Sequence, residues 1–456
     1  MSSATTATTP APTIERPGAL ELLRKALALV VTLSLVVIAQ RLAPEAEGPV
    51  APLLALGMFL LAGDIAAELG ERIGLPHLTG YLLAGLLVGP QVLGAVSQET
   101  VEQLGLMNTL ALALIALSAG AELTLPLLTQ GARTLLYSIG AQVAIALPGG
   151  LLLLLTLKHF LPFMAAMSWT AAVGVALLWG VLSVSRSPSA TLGVISQLRP
   201  DGPLTRYTLS VVIAFDLVVL VAFTLARSTA SVLVDPDATF SFSTIEELAT
   251  GILGSFACGT TLGLLIAAYL RLVGKQLLLF LILVAYGATE FTTYFQFESL
   301  LLFLTAGFVV ANVTDQGGRL LDVVAAGGRV VYVLFFALAG AHLDLRLLAH
   351  IWPVALVLFF GRVGLTAVAA RTGARMANDS DIIRRYGWMP LVSQAGITIG
   401  MAVKVAAEFP TFGPDFRALV IAVVGLNEGF GPILFKWALD KVGESGKGMA
   451  SAHHGH

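Results

Sequence analysis

A single cysteine, Cys258, stands in 456 residues. An internal disulfide and a cysteine-cluster metal site are therefore excluded. Charge is scarce too: Asp, Glu, Lys and Arg make up 12% of the chain, against about 25% in an ordinary soluble domain. Basic and acidic residues nearly cancel, at 26 and 28, so no basic surface for nucleic acid is expected. The HExxH, Walker A and GxSxG patterns are absent, and nothing else reads as a catalytic constellation. Neither an enzyme nor a cofactor is expected.

What the chain does have is apolar sequence. Its hydrophobic share is 57% and its mean hydropathy +0.87, which identifies an all-α polytopic membrane protein. Residues 1–18 are rich in Ser, Thr, Ala and Pro and read as a disordered leader. Residues 443–456 form a short polar tail, and 19–442 form the membrane domain. Apolar runs of about 20 residues predict spans at 20–42, 50–72, 76–93, 103–127, 132–157, 164–198, 203–227, 244–270, 276–294, 296–313, 326–345, 348–371, 384–408 and 416–440. That is 13 or 14 helices, depending on whether 20–42 is a retained helix or a signal peptide. With fourteen spans, Lys and Arg concentrate on the side of the two termini. The positive-inside rule then puts both ends in the cytoplasm, on a cell-membrane protein.

The chain repeats itself. Ala119-Gly120-Ala121-Glu122-Leu123 is answered by Ala339-Gly340-Ala341-His342-Leu343, and Ala84-Gly85 by Ala306-Gly307. The shared offset predicts two homologous halves, 50–227 and 276–440, with 244–270 as a linker helix. Six spans plus one linker span insert the second half upside down, the plan of many secondary transporters.

Two spans are interrupted by polar residues. In the first half, Ser185-Arg186-Ser187-Pro188-Ser189 breaks an apolar run, and Asp216 follows in the next span. Proline removes a backbone donor, and open backbone survives in hydrocarbon only inside protein or beside a wet cavity. A simple kink is the bland alternative for the proline. In the second half, Ser393-Gln394-Ala395-Gly396 interrupts 384–408. Two such breaks near the midplane bring half-helix ends together, and their partial charges call for an acid and a base. Asp216 and Arg362 are the candidates. Asp216 is expected to be the ion ligand, with a salt bridge to Arg186 or Arg362 as its structural alternative. Hydroxyls of Ser185, Ser187, Ser189 and Thr191, with freed carbonyls, would complete an oxygen site for a hard cation. Arg362 is expected to compensate the half-helix ends, against a snorkelling arginine. Arg186 either holds Asp216 in the unloaded state or makes a salt bridge facing the cytoplasm. Gln394 is expected to satisfy the second break, Lys404 to snorkel, and Glu122, Glu290, Glu298 and Glu428 to be interfacial or pore-mouth groups. Asp64 is expected to pair helices.

Several motifs now carry a resemblance: GLPHLTGYLLAGLLVGP (74–90), LGLMNTLALALIALSAGAELTL (104–125), the break with SPSAT, the helix of Asp216, VLFFALAGAHLDL (333–345) and FFGRVG (359–364). Their order resembles the cation:proton antiporter superfamily, in its bacterial sodium/proton and potassium/proton exchanger branch, over about 50–440. The resemblance implies a homodimer with a dimerisation domain and a mobile core. It also implies crossed discontinuous helices, and a monovalent cation, Na⁺ or K⁺, competing with H⁺ during elevator-like alternating access. It matches Asp216 to the family's ion-binding carboxylate and Arg362 to its charge-compensating base. Two residues depart from it: Phe215 where Asp, Asn or Gln is usual, and Arg186 in the break. The soluble ligand-sensing tail of the potassium efflux relatives is not expected. A channel-like potassium efflux unit and a non-transporting scaffold or sensor are the alternatives. Because Phe215 cannot titrate, and arginines keep their charge, Asp216 alone would alternate between proton and cation. Electroneutral exchange is expected.

Overall fold

The computed structural model describes residues 50–235, 243–295, 297–343, 345–394 and 396–446, with a few isolated positions between 24 and 34. The leader 1–18, most of the expected span 20–42 and the end of the tail lie outside the described residues. All regular structure among the described residues is helical, as hydrocarbon demands of a chain that must satisfy its own backbone.

The main helices are α1 (Val50–Arg72), α2 (His77–Val88), α3 (Gly105–Glu122), α4 (Ala132–Thr156), α5 (Trp169–Val184), α6 (Pro188–Leu198) and α7 (Pro203–Val234). They continue with α8 (Ser243–Leu272), α9 (Leu277–Phe295), α10 (Ser299–Val313), α11 (Gly317–Ala341), α12 (Leu345–Met376), α13 (Gly396–Glu408) and α14 (Gly413–Val442). Among the described residues, eight helical stretches are long and apolar enough to cross a membrane, and shorter apolar helices accompany them. The protein is a multi-pass membrane protein, and the expected spans from 50–72 onward overlap helix, with 384–408 only partly helical.

Four glycines show how two pairs of helices approach. A Cβ on Gly85 would overlap the Ala337 carbonyl oxygen, and one on Gly340 the carbonyl of Leu82. Likewise Gly120 faces the Leu304 carbonyl and Gly307 that of Leu117. Small residues of this kind let helix backbones touch where lipid supplies no hydrophobic drive. The sequence likens Gly85 to Gly307 and Gly120 to Gly340. In space α2 packs on α11 and α3 on α10, so α2 meets the counterpart of α3, and α3 the counterpart of α2. That exchange fits two related halves packed about a common axis.

The first interruption lies in the most enclosed part of the fold. In Trp169–Leu198, 83% of the most apolar window is buried, against 22% in Leu277–Phe295. Helix α5 starts at Ser168, whose hydroxyl accepts from Ala171 N at 3.2 Å, and stops at Val184. Ser185 is extended, with ψ 154°. Ser187 caps α6 by accepting from Ala190 N at 3.1 Å, and Pro188 takes the first helical position, where its missing N–H costs nothing. The segment is thus a true break and more than a kink.

The second interruption is less regular than expected. No continuous half-helix precedes it. A short helix, Asp381–Tyr386, leads to a single 3-10 turn at Met389–Leu391. Gly387 falls between them and Pro390 within the turn, and proline both removes a donor and disfavours helix before it. Ser187 N donates to Ser393 O at 3.1 Å, Gln394 Nε2 donates to Leu182 O at 2.5 Å, and the hydroxyls of Ser185 and Thr398 share a hydrogen bond. These contacts join the two breaks directly, and they fit a pair of crossing discontinuous helices.

Candidate ion site

Asp216 sits near the middle of α7, only 5% exposed. Neither carboxylate oxygen has a hydrogen-bond partner. Among the described residues it forms no ion pair, so the salt bridge to Arg186 or Arg362 is not present. An isolated carboxylate taken out of water costs several kcal/mol, on the order estimated for buried ions. Something must cancel its charge.

Arg362 is fully committed elsewhere. Its Nε donates to Ser183 O at 2.6 Å and Nη2 to Ser185 O at 2.9 Å. Its Nη1 donates to Val392 O at 2.7 Å and to Asn427 Oδ1 at 2.8 Å. Three of these acceptors are carbonyls at the C-terminal ends that precede the two breaks. Those of Ser183 and Ser185 belong to the negative pole of α5, that of Val392 follows the 3-10 turn Met389–Leu391, and the planar fork of arginine suits such a cluster. The residue is 2% exposed, so snorkelling is excluded.

Arg186 does not reach Asp216 either. Its Nη2 donates to Gln142 Oε1 at 2.8 Å and to Thr366 Oγ1 at 3.4 Å, and Nη1 to Ser185 O at 3.2 Å. Its guanidinium carbon lies 5.7 Å from the centre of the Phe215 ring. The two departures from the family pattern therefore meet: the aromatic face offers the buried cation a cation–π partner. With its side chain buried, Arg186 makes no cytoplasm-facing salt bridge among the described residues.

The four expected hydroxyls divide. Those of Ser187 and Ser189 lie 3.1 Å apart, and that of Thr191 has no partner. Ser185 is turned toward Thr398 and the second break. No hydrogen bond links any of them to Asp216 as the site stands. A cavity of about 20 Å³ touches Arg186, Ser187, Ser189 and Ile397. A second cavity, of about 1010 Å³, opens between α7, α8, the junction of α9 with α10, and α13. Its wall includes Leu220, one helical turn beyond Asp216, and again Ile397. Arg227, Glu246, Glu298, Lys404 and Glu408 give it a charged rim, with Arg227 paired to Glu408 and Lys404 to Glu298.

The family model described as "Sodium/hydrogen exchanger, transmembrane" matches residues 57–412. The chain belongs to that family. Solved structures carry the same architecture. The sodium proton antiporter MjNhaP1 from Methanocaldococcus jannaschii, at pH 8, is 18% identical with a TM-score of 0.63, covering 87% of this chain and 97% of its own. An electron-microscopy structure of the same antiporter is 17% identical with a TM-score of 0.67, covering 87% and 99%. The antiporter superfamily expected from the motifs, and its all-helical fold, are borne out.

Several site residues escaped the sequence reading. Gln142, which holds Arg186, lies in a widened π-helical turn, Gln142–Ala146, just before Leu147-Pro148. Such turns cluster at functional sites, and a lone glutamine in an apolar run was the available signal. Asn427 joins Arg362 to Gln394, donating to Gln394 Oε1 at 3.0 Å. Glu428 requires a correction. Expected at a span end, it lies mid-way along α14 and is 4% exposed; neither oxygen makes a well-formed hydrogen bond, although the Gln394 backbone N–H lies against the carboxyl. Lys404 does more than snorkel, since it pairs with Glu298 across the large cavity.

Proposed function

We propose that this family member exchanges a monovalent cation, Na⁺ or K⁺, for H⁺, with Asp216 as the shared site. The carrying observation is the buried carboxyl of Asp216, with both oxygens unpartnered while both nearby arginines are engaged elsewhere. Its charge is cancelled by a proton or by a cation, one excluding the other, and mutual exclusion is what couples two fluxes. Thr191, Ser187 and Ser189 line the adjoining break as oxygen donors of the hard type a monovalent cation prefers. Leu220, on the cavity wall one turn away, marks the approach. Alternation by an elevator-like movement of the breaks and α7 against α8–α11 would move this site between the two faces. MjNhaP1 is described as a sodium proton antiporter, which supports the choice of cation class.

The same reading places the chain in the cell membrane with both termini cytoplasmic, on the charge bias of the loops, and as a homodimer, on the family resemblance. The halves 50–227 and 276–440 are proposed as inverted repeats, and the glycine pairs support them. One cation replaces one proton at Asp216, so turnover carries no net charge. The test is cation-driven dissipation of a proton gradient in everted vesicles, followed with a pH dye. Asp216→Asn should abolish the cation response while the protein remains folded. Normal exchange by that variant would remove Asp216 from the mechanism.

A further inference from the structure

Arg186 is buried, and among the described residues no carboxylate pairs with it. A buried charge of this kind is costly, and an apolar side chain would fill the same space without that penalty. What the guanidinium supplies is position, because it collects partners from three helices. Gln142 Oε1 on α4 accepts from it at 2.8 Å, and Thr366 Oγ1 on α12 at 3.4 Å. On α7 it meets the Phe215 ring, whose centre lies 5.7 Å from the guanidinium carbon. Gln142 Nε2 also donates to Thr366 O at 3.4 Å, so α4 and α12 are joined around the arginine. Gln142, Phe215 and Thr366 are buried as well, where low dielectric strengthens such contacts.

The two sides of the arginine–aromatic contact adjoin the two parts of the proposed ion site. Arg186 immediately precedes Ser187, whose hydroxyl lies 3.1 Å from that of Ser189 on the break. Phe215 immediately precedes Asp216, whose oxygens have no partner. The break and α7 are separate elements, and their spacing sets the distance from hydroxyl to carboxyl. The guanidinium on the Phe215 ring fixes that spacing one residue away from each part. Oxygen ligands serve a small cation only when they are held within about 0.5 Å of the productive geometry.

We propose that Arg186 and Phe215 form a spacer that sets the gap between the hydroxyls of the break and the carboxyl of Asp216, and with it the affinity of the site for its cation. Gln142 and Thr366 keep the guanidinium seated on the ring. The inference rests on the reading of Asp216 and the break as the cation site. All four are positioning residues, acting through Ser187, Ser189 and Asp216 and not on the cargo itself.

Exchange in vesicles against cation concentration, with Na⁺ and K⁺ each added alone, tests it. Phe215→Leu removes the aromatic face and keeps the position apolar. It should raise the half-saturating cation concentration by about tenfold, a usual worth for a buried cation–π contact, with a smaller change in maximal rate. Arg186→Gln should act in the same direction. The double variant should be no worse than the worse single one, because both remove one contact. Arg186→Lys, whose ammonium can still rest on the ring, should recover part of the affinity. Unchanged half-saturation in Phe215→Leu overturns the spacer, as do additive effects in the double variant or no recovery by lysine. A lower maximal rate with half-saturation unmoved also overturns it, as the mark of a merely structural contact. If Arg186→Gln does not fold, Phe215→Leu decides alone. A second measurement needs no transport: the cation should raise the unfolding temperature of the purified parent, and Phe215→Leu should need more of it for the same rise. If Asp216→Asn loses the rise and Phe215→Leu matches the parent, the spacer alone fails. If the rise survives in Asp216→Asn, the ion site itself fails.

Discussion

Arg362 shows how one side chain holds an interrupted fold together. Four acceptors from three segments converge on it, and burial leaves them no water to turn to. Arg362→Ala strands those acceptors, each at about 1–3 kcal/mol, and should lower the unfolding temperature in detergent as well as transport. Arg362→Lys offers three donors to the four acceptors; it should be less damaged than the alanine variant and alter the pH dependence of exchange. An alanine variant as stable as the parent would show that the half-helix ends need no compensation. Phe215 and Arg186 likewise make sense together: the aromatic that replaces a polar neighbour of Asp216 is the surface on which the unusual arginine rests.

At the level of elements, α7 is fastened at its head as well as along its length. Glu444, in the segment that reads as a polar tail, is buried. Its carboxylate accepts from Leu204 N and Thr205 N, each at 2.8 Å, and from Thr205 Oγ1 at 2.6 Å. A negative group at a helix N-terminus meets both the unpaired N–H groups and the positive end of the dipole. Gly202 is required there, since a Cβ would overlap the Glu444 side chain. Glu444→Ala should cost about 2 kcal/mol, the upper range for a lost cap, and show as a lower unfolding temperature with Asp216 chemistry intact. An unchanged melting curve would mean that α7 is held by packing alone. The glycine crossings of α2 with α11 and α3 with α10 rank beside this cap as the contacts that set helix placement.

For the whole molecule, the testable quantity is charge per turnover. Exchange at Asp216 alone gains nothing from the roughly 2.3 kcal/mol per charge that 100 mV supplies. Solid-supported-membrane recordings should then show no steady net charge movement after a cation jump, and apparent cation affinity should fall as protons compete. Sustained net current would demand a second proton carrier.

Much of this was legible in the chain itself. Apolar runs, Ser187-Pro188, Asp216, Arg362 and the repeated glycine motifs predicted spans, break, acid, base and family, because hydrocarbon forbids unpaired polar groups except where they work. Which polar groups pair was not legible. That Arg186 turns to Gln142 and Phe215 and leaves Asp216 bare depends on helices distant in sequence meeting at one point. Glu428 was misplaced for the same reason: a carboxyl's partners, or their absence, come from neighbouring helices and not from its own. The part of the expected span 384–408 that precedes its break is a short helix and a 3-10 turn, since periodicity cannot weigh Gly387 and Pro390 against packing. Composition and local pattern determined the membrane architecture and named the charged residues. Only tertiary contact decided which of those charged groups find partners and which, Asp216 among them, do not.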